Sequence, residues 1–118
     1  MSYVQVSVDR RHPLLTNEFL RLFNDVLADF IVNRLAPVEF KLTKELIEIE
    51  VRDYVEAVDR RDPRFPLQVR VYGNDFPSRM VNINERLALL RADVERYLNG
   101  RIGASIWLTF AGGAFATL

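Results

Sequence analysis

At 118 residues, with 49% apolar and 27% charged side chains, the chain is sized for one globular domain around one core. Its 16 basic and 16 acidic residues cancel, which removes the long-range field of a protein that grips nucleic-acid backbone. With no cysteine and a single histidine, His12, it excludes disulfides, thiolate metal sites and a cysteine nucleophile, and it shows no metal-ligand spacing.

No apolar run approaches the roughly 20 residues that span a bilayer. The N-terminus opens on a strand pattern and lacks the basic–apolar–small order of a leader. The expectation is a cytoplasmic protein with no cofactor, no nucleic-acid partner and no membrane partner.

In chain order, residues 2–8 alternate, with Val4, Val6 and Val8 on one face and Tyr3, Gln5 and Ser7 on the other. That is the period of a half-buried strand. A charged loop, Asp9-Arg10-Arg11-His12-Pro13, follows. Thr16 is suited to cap a helix, with Glu18 placed where the helix dipole favours an anion. Phe19, Leu20, Phe23, Val26, Leu27, Phe30 and Ile31 then recur at helical spacing, predicting a helix to about Leu35.

Residues 38–45 alternate weakly and read as a strand or an irregular connection. Ile47, Ile49, Val51 and Val55 alternate with Glu48, Glu50, Arg52, Tyr54 and Glu56, predicting a long strand that bends near Asp53. The segment from Asp59 to Pro66 holds two prolines and a cluster of charges, which is loop material.

The second half repeats the first. Leu67, Val69 and Val71 alternate with Gln68, Arg70 and Tyr72, and Gly73-Asn74-Asp75-Phe76-Pro77 reads as turn. Asn82 with Glu85 has the spacing of a capping box. Leu87, Leu90, Val94, Tyr97 and Leu98 form the buried stripe of a second helix, and Asn99-Gly100 is its stop. Residues 104–110 predict a last strand, with Ile106, Leu108 and Phe110 opposed to Ser105, Trp107 and Thr109. The uncharged tail, residues 111–118, either packs on a neighbouring subunit or is a frayed end.

The sum is an α+β fold of order β-α-β-β-α-β in a single domain, with halves at about 1–58 and 65–118. Two β-α-β units place both helices on one face of a four-stranded sheet. Tyr3, Gln5, Gln68, Arg70, Tyr72, Trp107 and Thr109 line the other face, a mixed set that suits contact with another copy. Among residues able to carry chemistry, His12 stands alone in a charged loop and reads as a surface residue. Tyr54 and Tyr72 have phenols suited to proton donation, Tyr97 reads as packing, and Glu48, Glu50 and Glu56 share a strand's solvated side. Gly112-Gly113 lacks the helix and lysine of a phosphate loop.

The opening Met1-Ser2-Tyr3-Val4-Gln5-Val6-Ser7-Val8, laid directly on the first strand of a duplicated β-α-β chain, resembles the tautomerase superfamily. The resemblance covers the whole chain in architecture and residues 3–8 in motif. It implies a homo-oligomer, in that family a trimer, with C-terminal segments reaching across to neighbours. It also implies a base or nucleophile in an N-terminal proline exposed by loss of Met1, and arginines that hold a substrate carboxylate.

This chain departs from the pattern at the decisive position, where it has Ser2. The resemblance therefore implies a protein without proline-dependent chemistry, Ser2 being its candidate catalytic residue. A freed serine α-amine, with an ordinary pKa of about 7.7–8, suits a base or an imine former. Tyr3, Arg10 and Arg11 are the implied substrate-binding residues, with Arg52 and Arg70 looser candidates. A guanidinium fork matches a carboxylate, so the implied ligand is a small carboxylate or keto acid and any activity a keto–enol isomerisation. The other reading is a non-catalytic ferredoxin-like module that acts through its sheet face as a structural or partner-binding protein.

Overall fold

The strands assemble by hiding their valines. In the computed structural model, which describes residues 2–35, 43–55, 59, 62–74 and 82–111, β1 (Ser2–Val8) buries Val4, Val6 and Val8 completely. Each such side chain is worth roughly 1.5 kcal/mol or more of burial free energy. β1 pairs in parallel with β2 (Ile47–Asp53) and antiparallel with β3 (Leu67–Asn74), which pairs in parallel with β4 (Ala104–Ala111). The sheet order is β2-β1-β3-β4. Parallel neighbours need a crossover, and each one here is a helix.

The first crossover is α1 (Asn17–Leu35), whose start is capped by Thr16, its Oγ1 accepting the Phe19 N–H at 3.1 Å. The second is α2 (Ile83–Leu98). Leu20, Phe23, Leu27 and Ile31 of α1 and Leu90, Val94 and Leu98 of α2 join Val4, Val6, Val8, Leu67, Val69 and Val71 in one core. Both helices therefore cover the same sheet face. They meet each other through Tyr97, whose ring lies 5.9 Å from Phe23 and 6.5 Å from Phe19, centroid to centroid. The reading of Tyr97 as packing holds.

A polar clasp closes the same seam. Asp93 is buried, and its carboxylate accepts from Arg34 Nε at 2.7 Å and Nη2 at 3.2 Å, with Arg96 at 3.4 Å. The Arg34 carbonyl in turn accepts from Arg86 Nε at 2.9 Å. This tie joins the last turn of α1 to the middle of α2.

Two local expectations need correction. Asn82 does not form a capping box: it sits in the left-handed region at φ 53° and its side chain makes no cap hydrogen bond. β2 ends at Asp53, where the Tyr54 N–H donates to the Val8 carbonyl at 2.7 Å. Residues 44–46 form a short 3-10 turn, so of the two readings of the weakly alternating stretch the irregular connection holds at residues 44 and 45. The Asn99-Gly100 stop does form, with both residues at positive φ (52° and 73°). Met1 and residues 36–42, 56–58, 60–61, 75–81 and 112–118 lie outside the described residues, and with them the expectations on 38–42, Glu56, Asp75-Phe76-Pro77, Gly112-Gly113 and the tail from 112.

Candidate functional site

The sheet face away from the helices carries three rows of side chains across its four strands. Strand register aligns Glu48, Tyr3, Tyr72 and Thr109; then Glu50, Gln5, Arg70 and Trp107; then Arg52, Ser7, Gln68 and Ser105. Trp107 is 59% exposed, and Arg70 is exposed with no ion pair among the described residues. An indole this open on a continuous sheet face marks a surface suited to contact. The polarity also runs across the sheet, with carboxylates on the β2 side and Arg70 and Trp107 toward β4.

Tyr3 is fixed within this face. Its phenol donates to Glu50 Oε2 at 2.6 Å and its ring lies 5.7 Å from that of Tyr72. The hydrogen bond to Glu50 is the main cause that pushes the Tyr3 phenol up to about 12, with desolvation and the charges of Glu50 and Glu48 adding to it. Tyr3 thus stays a neutral donor at physiological pH, with its proton committed to Glu50.

Ser2 begins β1, in register with Ile47. Arg10 and Arg11 follow the far end of that strand. At a rise of 3.3 Å per residue, the span from Ser2 to Val8 alone is about 20 Å. Ser2 and Tyr3 are therefore brought together, and Arg10 and Arg11 are brought together, but one protomer does not unite the two pairs.

Both arginines already hold carboxylates. Arg10 Nε donates to Asp53 Oδ1 at 2.8 Å, and its Nη1 donates to the Leu15 carbonyl at 3.1 Å. Arg11 forks onto Asp9 at 2.7 and 2.9 Å while its backbone N–H donates to the same carboxylate at 3.1 Å, and its guanidinium stacks over Tyr54 at 5.3 Å. Arg52 reaches Asp59 at 2.7 Å. His12 shapes the loop, its Nδ1 accepting the Leu14 N–H at 3.2 Å.

The partners Asp9, Asp53 and Asp59 were not among the sequence candidates. Asp9 carries the one usable signal, a carboxylate two residues before an arginine in a turn, the spacing that Asp62 and Arg64 repeat at 2.6 Å. Among the described residues no group of three or more His, Cys, Asp or Glu is placed to hold a metal ion, and no helix is long and apolar enough to cross a membrane.

No protein-family model matches the chain, and no curated protein matches it in sequence. Solved structures match it along nearly its whole length. A fused 4-OT wild-type asymmetric trimer aligns with a TM-score of 0.69 at 11% identity, over 98% of this chain and 91% of that one. A member of the cis-3-chloroacrylic acid dehalogenase family aligns at 0.60 and 13% identity, over 98% and 79%. The FG41 malonate semialdehyde decarboxylase inhibited by 3-bromopropiolate aligns at 0.57 and 14% identity, over 99% and 91%. At such identities the likeness speaks to fold. The chain has the fold of the tautomerase superfamily.

Proposed function

We propose that this protein is a trimeric, tautomerase-like homo-oligomer that lacks proline-dependent activity and binds a small carboxylate or keto acid near the start of β1. The observation that carries the reading is the uncovered sheet face, with Trp107 59% exposed on a scaffold whose structural neighbours include proteins described as trimers. Assembly through that face supplies the cover it lacks.

The placement of Ser2 and Tyr3 about 20 Å from Arg10 and Arg11 fits a binding site shared between copies. One copy gives the N-terminal pair, and another gives the arginines. For either arginine to take a ligand carboxylate it must exchange Asp53 or Asp9. Arg10–Asp53 is the easier exchange, because both side chains are more than one-third exposed and such pairs are weak.

The engaged arginines favour a second reading, a partner-binding module with no small-molecule site. One experiment separates the two. Native protein is mixed with phenylpyruvate, enol formation is followed, and the mixture is treated with borohydride for intact mass measurement. The proposal expects saturable binding of the keto acid with enolisation no faster than in buffer. Rapid enolisation with a reduced adduct on Ser2 would establish an N-terminal-amine enzyme instead. Absence of any binding would leave the partner-binding module.

A further inference from the structure

Glu48, Glu50, Arg52 and Arg70 are the charged residues in the three aligned rows of the open sheet face. Two of them have partners within the chain. Arg52 is paired with Asp59 at 2.7 Å, and Glu50 accepts the Tyr3 phenol at 2.6 Å. Glu48 and Arg70 are left over: both are exposed, and neither has an ion pair among the described residues.

Within one chain the two do not meet. Glu48 is on β2 and Arg70 on β3, with β1 between them and in different rows of the face. Two strand spacings put about 10 Å between their backbones. The carboxylate in the row of Arg70 is Glu50, across the same gap and already engaged by Tyr3.

Covering the face changes what these charges cost. In water each is solvated. Under a second copy an unpaired guanidinium or carboxylate loses that solvation, unless an opposite charge comes with the cover. The Trp107 indole stands beside Arg70 in register. As the face closes it excludes water there, which strengthens a pair formed by the guanidinium. The planar fork of Arg70 suits a carboxylate.

A ring of three adds a direction. A contact repeated around a threefold ring joins unlike parts of neighbouring chains, because a self-complementary contact closes after two. This face has unlike parts, carboxylates at its β2 margin and Arg70 with Trp107 toward β4.

We propose that each copy lays the β2 margin of its open face against the Arg70 and Trp107 side of the next, with Arg70 of one copy paired to Glu48 of its neighbour. The inference rests on the trimeric reading above and adds to it the residues that hold the contact and the direction in which it runs.

The test is light scattering over a dilution series of the full chain, as the parent, Arg70→Glu, Glu48→Arg and the variant with both substitutions. Far-UV circular dichroism is recorded on each. Both positions are exposed and outside the core, so all four should keep the fold. Each single reversal puts like charges into every contact and should raise the concentration at half-assembly by at least about tenfold. The double reversal swaps the pair and should return that concentration to the parent's range.

Single reversals that assemble like the parent would overturn the pairing and leave the trimer standing. Weakened single reversals with no recovery in the double would overturn it too, since the charges would then be meeting other partners. A parent that stays one chain at every concentration would remove the trimeric reading itself, and this inference with it.

Discussion

At the scale of single residues, Asp93 and Tyr3 are the groups whose surroundings set their ionisation. The Arg34 hydrogen bonds, with the charges of Arg34 and Arg96, hold the Asp93 carboxyl below its ordinary value, against the opposing effect of burial. A depressed carboxylate contributes stability that is present above the unfolded value near 3.8 and is lost as pH falls through the folded value. Asp93→Asn should cost about 2 kcal/mol in urea unfolding at neutral pH, because it leaves the guanidinium on a buried neutral group. The gap to the parent protein should narrow as the solution is acidified below that value. Tyr3 runs the other way. Its raised pKa means that its hydrogen bond to Glu50 stabilises the fold below about 10 and is lost as pH rises toward about 12. An ultraviolet tyrosinate titration should show a late transition near 12 that Tyr3→Phe removes.

At the scale of elements, the close approach of β4 to the loop before β3 depends on Gly103. A Cβ at that position would overlap the Arg64 carbonyl oxygen, a backbone atom that has nowhere to swing. Gly103→Ala should therefore destabilise by about 1–3 kcal/mol, read as a lower urea midpoint with an unchanged slope. Nothing in the pattern around residue 103 announces this, because the clash is with a segment 39 positions earlier in the chain. The strands and helices were legible for the opposite reason. Val4-Val6-Val8 and the Phe19-to-Ile31 stripe carry their periodicity locally, and burial followed it. The misread cap at Asn82 shows where local pattern stops. An N-cap needs an extended backbone, and Asn82 instead took the left-handed conformation that asparagine tolerates.

The candidate site was less legible than the fold. Arginines at 10 and 11 were visible in the sequence, but their partners Asp53 and Asp9 were chosen by a strand end and a turn that only the folded chain brings near. The distance from Ser2 to those arginines follows from the strand's length, and a site joining them is a property of more than one chain.

At the scale of the molecule, the account turns on what covers the open sheet face. Trp107 and Arg70 share a row on it, and placing a carboxylate at the indole position removes an apolar contact from the middle of any assembly formed there. Trp107→Glu should thus lower the assembly's mass while leaving the helix content of the chain unchanged, since the residue lies outside the core. The most direct measurement is light scattering on the eluting parent protein at micromolar concentration. The account predicts a single species of three times the chain mass, and a species of one chain mass would contradict it.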